Sequence, residues 1–268
     1  MLEFRRKAAD TLKSTPKQSR SEKLAELQAT PEYWAARVEK LLGSGQKAEF
    51  SDDRTTFHWK VKNVYHGTDV DKIDKFNYAE ESTIGGSAVY FTTDPELAMG
   101  YAKLRGLRRG TNQARLYEAV LSDVKMMNWA EPTTVEKLRS ELAQWCRDMR
   151  EQIFLDGLEK VAEKYSFWKN VDASGVHYSL KTIIERCEGG EVHRGNVKEI
   201  AQGLRGMFFE RFVKERGLDG VITIEGGDDP KHTAKSGISV VIYNKDKIIS
   251  HRSMNIPAAP PDRPENRA

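Results

Sequence analysis

The chain has 268 residues, a net charge of +3 and a mean hydropathy of -0.64, with 38% hydrophobic and 31% charged residues. This is the composition of a globular protein of one to two domains with enough length for a sizeable core, and it contains no apolar run near the roughly 20 residues that cross a bilayer. Two cysteines, Cys146 and Cys187, lie in no CxxC or Cys/His cluster, which excludes a disulfide framework and structural zinc and fits a reducing compartment.

Charge is uneven along the chain. Met1 to Lys47 holds ten Lys or Arg against six Asp or Glu. This stretch reads as a basic, helical N-terminal segment over 1–55, broken at Ser14-Thr15-Pro16. It is a solvated cap first, and a surface for nucleic acid, a partner or a membrane second. Met1 to Lys7 turns polar at once, so no standard secretory leader is expected and the expected location is cytoplasmic, in the producing cell or in a target cell if the chain is delivered into one. A helix is predicted from Pro31 with Thr30 as N-cap. Trp34, Val38, Leu41 and Leu42 form its apolar stripe, and Gly43-Ser44-Gly45 ends it.

The texture then changes to strands. Val61 to His66 reads as one, closed by Gly67-Thr68. A small-residue loop runs from Ser82 to Ser87, and Ala88 to Thr92 is a second strand. Asp94-Pro95-Glu96 starts a helix that carries Leu97, Ala98 and Tyr101. Arg115 to Ser122 alternates as a third strand. Thr133-x-x-Glu136 reads as a capping box. It opens a long amphipathic helix through Val135, Leu138, Leu142, Trp145 and Met149 to Tyr165, the start of a helical insertion over 131–196. A further helix is predicted from Asn196 to Arg216, stopping at Gly217. Gly220 to Glu225 and Ile238 to Tyr243 are two closing strands, and the Pro-rich tail over 251–268 reads as disordered. Short strands with helices between them predict an α+β fold.

Four pieces stand out for chemistry: Tyr65-His66-Gly67-Thr68, Gly86 to Thr92, Asp94 to Ala102, and the closing strand pair with Gly217-Leu218-Asp219-Gly220 before it. In this order and spacing the sequence resembles the ADP-ribosyltransferases of the diphtheria-toxin and poly(ADP-ribose) polymerase type, the histidine-tyrosine-glutamate class. It is most similar to bacterial and phage relatives in which a YHGT strand precedes a VYFTTDPELAxxYA block. The resemblance covers about 61–117 and 203–250. It leaves out the N-terminal segment, the insertion and the tail.

The resemblance implies a split, mostly antiparallel sheet forming a catalytic domain over 56–250. It implies NAD as co-substrate and no metal. His66 matches the histidine that hydrogen-bonds the adenosine ribose, and the backbone of Gly67 matches the partner of the nicotinamide amide. Tyr90 and Tyr101 match the two aromatic walls around the nicotinamide ring. Thr68 and Ser87 fall among the NAD contacts. The family's late-strand glutamate stabilises the oxocarbenium-like transition state. Here Ser239 stands at that position. Glu225, on the neighbouring strand and at the same end if the two form a hairpin, is the substitute, with Asp228 and Asp229 behind it.

Lys103, Arg105, Arg108 and Arg109 are candidates for the pyrophosphate or a polyanionic acceptor, against the plainer reading of a solvated run. His177 and His193 lack partners at metal-ligand spacing. The implied reaction transfers ADP-ribose to a macromolecule, with a protein side chain first and RNA or DNA second. Such chains serve as toxins, effectors or phage-defence factors, and an antitoxin or immunity partner belongs to that setting. The alternative is an NAD-site remnant acting as a binding module.

Overall fold

The structure, a computed structural model, describes residues 30–43, 47–60, 63–76, 88–111, 113–165, 173–192, 203–225 and 237–254. Its first element, α1 (Pro31–Leu42), begins where the sequence places it. The Thr30 hydroxyl accepts from the Tyr33 N–H at 3.3 Å, and Trp34, Val38 and Leu42 are buried. Gly43 ends the helix at φ 105, in the range that favours glycine.

Nine strands make one sheet: β1 (Lys47–Phe50), β2 (Thr56–Lys60), β3 (Val64–Thr68), β4 (Val89–Thr92), β5 (Arg115–Leu121), β6 (Val124–Asn128), β7 (Gly220–Glu225), β8 (Gly237–Ile242) and β9 (Ile248–Met254). Their order is β1-β2-β6-β7-β8-β4-β3-β5-β9. The β6–β7 pair is parallel and the others are antiparallel. The fold is therefore α+β, as expected, but with four more strands than the sequence reading supplies. β1, β2, β6 and β9 are short, or carry lysine, histidine, arginine and methionine where β-formers would signal a strand. The sheet takes in residues 47–50 and 251–254, which lie beyond the 56–250 segment.

The sheet divides at β3 and β4. These strands hold register only at Tyr65↔Thr92, whereas β3 pairs with β5 over five residues and β4 with β8 over four. A six-stranded half and a three-stranded half thus meet at one pair and part towards Gly67 and Tyr90. This is the split the sequence led us to expect.

Helices α2 (Pro95–Arg109), α3 (Pro132–Asp156), α4 (Leu158–Tyr165), α5 (Ala173–Glu188) and α6 (Gly203–Lys214), with a 3-10 turn at Lys245–Lys247 before β9, complete the described elements. On one face of the sheet, α3, α5 and α6 bury Leu138, Leu142, Leu180, Phe208 and Phe212 against Met127, Val221, Val241 and Tyr243. On the other face, Trp34, Val38 and Leu42 of α1 join Phe57, Trp59, Phe91, Val240 and Ile242. Alternate residues of β4 and β8 serve the two cores, as the period of two requires.

Two helical expectations change. The helix after Ala130 starts at Pro132 with Glu131 as its cap residue, so Thr133 and Glu136 lie inside it and form no capping box. Glu131 does not cap with its side chain. Its carboxylate is buried and accepts from Arg54 Nε at 3.0 Å and Nη2 at 2.8 Å, and from Asn128 Nδ2 at 3.0 Å. The helix also does not run unbroken to Tyr165. Gly157, at φ 83, separates α3 from α4.

Candidate functional site

Begin with β3. Val64, His66 and Thr68 are buried on one face of the strand, and Tyr65 and Gly67 point to the other. His66 is 5% exposed, with Phe76 and Phe91 edge-on to its ring at 5.3 and 6.0 Å. Its Nδ1 lies 2.7 Å from the main-chain oxygen of Tyr90. A carbonyl only accepts, so Nδ1 carries the proton and Nε2 is the acceptor nitrogen. Burial pushes the imidazole down to about 4, with the Arg105 cation adding to the effect and the Tyr90 carbonyl opposing it. The ring is neutral at pH 7. It bridges the two halves of the sheet where the backbone ladder has stopped.

Tyr90 leaves β4 on the opposite face from Phe91 and packs against the helical core. Extending the Tyr65↔Thr92 register sets it across from Gly67. His66 and Tyr90 therefore contribute from opposite faces, joined through a backbone carbonyl and not by converging side chains. That differs from a single slot lined by His66, Tyr90 and Tyr101 side chains together.

Gly67 has a structural reason to be glycine. A Cβ there would stand 1.7 Å from the carbonyl oxygen of Ala98 and 3.1 Å from the N of Ala102. Helix α2 lies directly on the strand, burying Ala98, Ala102 and Gly106. It starts as predicted, with Asp94 Oδ1 accepting from the Glu96 and Leu97 N–H groups at 2.8 and 3.4 Å. Tyr101 follows on the flank of α2 and is 42% exposed. Its helical neighbours at i−4 and i+4 are anchored. Leu97 Cδ2 fills the space over Gly237 of β8, and Arg105 Nε lies 3.0 Å from Asp69 Oδ1. This line places Tyr101 on the side of α2 nearest the opening between β3 and β4.

Thr68 is buried, and its hydroxyl accepts from the Val70 N–H at 3.3 Å. Ser87 lies outside the described residues. Glu225 ends β7 opposite Gly237, and its side chain is likewise outside them. The hairpin that would carry Glu225 to the Ser239 end is present. Thr223 pairs with Ser239, which pairs with Thr92, which pairs with Tyr65. Thr223, Ser239 and Thr92 are buried and make a polar row across three strands on the face of Tyr90, with the half-buried Tyr65 at its end, and Glu225 stands two residues farther along the same face of β7.

Three residues of the site have no sequence signal of their own. Asp69 is buried and holds Arg105 and, at 3.5 Å, Arg109, so half of the basic run on α2 is ion-paired. Tyr243 is buried beside Tyr90, and its hydroxyl has no hydrogen-bond partner among the described residues. Burial pushes its phenol well above the usual value, and Tyr90 and Glu210 add to the rise. His251 reaches from β9 to donate its Nε2–H to the Ile73 carbonyl oxygen, 2.8 Å away, and its ring lies near Phe76, which also contacts His66. Cys146 and Cys187 are buried, and burial raises both thiols, Cys187 to about 12, so neither is a nucleophile at neutral pH.

Among the described residues no group of three or more His, Cys, Asp or Glu could hold a metal ion, and no helix is long and apolar enough to cross a membrane. No family model and no curated protein matches the chain. Among solved structures the chain is similar to the crystal structure of the M. tuberculosis MbcT-MbcA toxin-antitoxin complex, with 10% identity over 80% of this chain and 90% of that one, at a TM-score of 0.31. A likeness of that size assigns no chemistry to the residues described above.

Proposed function

We propose that the opening between β3 and β4 binds NAD and that the chain transfers ADP-ribose from it to a macromolecular acceptor. The observation that supports this most is the neutral His66 imidazole tied to the Tyr90 carbonyl at the parting of the sheet. It braces the strand that carries one aromatic wall; a hydrogen bond from a ribose hydroxyl to His66 is proposed from the sequence resemblance alone. Tyr90 from β4 and Tyr101 from α2 flank Gly67, which fits a flat nicotinamide ring between them. Thr68 serves the turn after β3 in this reading, and Ser87 remains a proposed contact by sequence alone.

The reaction breaks the bond between nicotinamide and the anomeric carbon, and the acceptor nucleophile takes that carbon. Cationic character on the ribose favours a nearby carboxylate. Ser239 cannot supply it, so Glu225 is our choice. No metal enters the step. A protein side chain is the first acceptor and a nucleic acid the second. Service as a toxin, effector or phage-defence factor, with an antitoxin or immunity partner, follows from the sequence resemblance alone. The serine at position 239 favours one other reading, an NAD-site remnant that only binds.

The test is nicotinamide release and transfer of label from labelled NAD into a lysate, with and without nuclease. Label on protein supports the first acceptor, and label lost to nuclease the second. Tyr90→Ala is expected to abolish release, and Glu225→Gln to lower it at least about 100-fold, the scale of a lost electrostatic stabiliser. NAD binding without release supports the remnant. Neither binding nor release sinks both.

A further inference from the structure

Helix α2 is built inside out. It buries Ala98, Ala102 and Gly106, while Leu104 and Leu107 stand 52% and 67% exposed. With Gly100, whose Cβ would meet nothing within 4 Å, they fall at i, i+4 and i+7. This is the spacing of one helix-packing seam, with a small residue and two leucines along it. Lys103 and Arg108 border the seam on its two sides, both exposed. From Leu97 to Arg109 the helix has no acid.

We propose that this face of α2 docks an amphipathic helix of a partner protein, with leucine-like side chains on the seam and acids on both flanks. The pattern of the seam asks for a helix, and Lys103 and Arg108 ask for carboxylates. Two exposed leucines are apolar contact that a phosphate backbone does not use. The chain's own ends do not fit. Residues 1–29 carry seven Lys or Arg against four Asp or Glu, a like-charge partner for this face. Residues 255–268 include four prolines, which break helices. Tyr101 borders the same seam, so a seated helix would also narrow the opening between β3 and β4. That consequence rests on the reading of the opening as an NAD site, whereas the docking itself does not.

The experiment uses the full chain and fluorescein-labelled synthetic helical peptides with leucines at i, i+4 and i+7. One peptide carries glutamates on the flanks, one carries lysines, and a labelled oligothymidylate serves as a third probe. Anisotropy is expected to show the glutamate peptide binding about tenfold or more tighter than the lysine peptide, the worth of two flanking ion pairs. Leu104→Ser with Leu107→Ser should remove binding without lowering Tm, since both side chains are exposed. Lys103→Glu with Arg108→Glu should reverse the preference in favour of the lysine peptide. No binding, equal binding of both peptides, or a preference that survives the charge reversal overturns the proposal. Binding of the oligothymidylate in place of the peptides overturns it too. Nicotinamide release by the wild-type chain without peptide is measured in parallel, so failure of the NAD reading and failure of docking are seen separately.

Discussion

His66 and Tyr90 are joined by a hydrogen bond that stands in for a missing rung of the sheet. The Nδ1–H of His66 donates to the Tyr90 carbonyl at 2.7 Å, one residue beyond the single register pair between β3 and β4. Removing the imidazole removes that tie between the two halves of the sheet, and protonating it puts a cation among Phe76 and Phe91.

The pH dependence follows from that burial. The imidazole sits at about 4 in the folded chain and at its ordinary 6.5 when unfolded. Between these values the unfolded state binds the extra proton, so stability rises with pH. The neutral ring's contribution is complete above pH 6.5 and is lost as pH falls through about 4, a loss of about 3 kcal/mol. Urea unfolding of the wild type and of His66→Phe at pH 7.5 and 4.5 checks it. The variant should show a smaller drop, and equal drops would show that His66 is not buried as described.

Gly67→Ala should damage the contact between β3 and α2. A methyl group 1.7 Å from the Ala98 carbonyl oxygen cannot be relieved by a side-chain rotation, because the clash is with backbone. We expect at least about 2 kcal/mol of destabilisation and a shift of α2. The lower Tm should come with faster amide exchange from Ala98 to Gly106. Gly100→Ala, where the new methyl group meets nothing within 4 Å, should leave Tm unchanged or raise it slightly.

Glu131→Gln should cost about 3 kcal/mol or more, because it breaks a buried carboxylate from Arg54 while keeping its shape. Arg54 is committed to this place: it sits at φ 57 and stacks over the Phe50 ring at 4.0 Å. The β1–β2 turn would lose its tie to α3. Chemical denaturation with proteolysis at 51–55 reports both effects. By contrast, Lys137→Met next to Asp53 should change stability little, since that pair is half exposed.

Tyr243→Phe should hold or raise stability by about 1 kcal/mol, since it removes a buried hydroxyl that lacks a partner among the described residues. A loss of 1 kcal/mol or more in thermal unfolding would show that the hydroxyl is satisfied after all.

Local rules carried the reading of the chain wherever one residue type suffices. Thr30 and Asp94 cap their helices through their own oxygens, and Pro31 and Pro95 suit the first turn. The β-branched runs of β7 and β8 announce strands, and their pairing returned the hairpin expected of Glu225 and Ser239. Thr133 and Glu136 gave a false start, because the true cap residue, Glu131, is claimed by Arg54 from 77 positions away. β1, β2, β6 and β9 become strands through their neighbours and not through their own preference.

Sequence alone thus settled which residues cap, turn and alternate, since those forces act within a few positions along the chain. Tertiary structure decided the rest. It put His66 on the far face from Tyr90 and linked them through a carbonyl, laid α2 on Gly67, and gave Asp69 to Arg105 and Arg109. Faces, orphaned groups and ion pairs depend on which strands lie side by side, and that is fixed by long-range burial, which leaves no mark at the residues themselves.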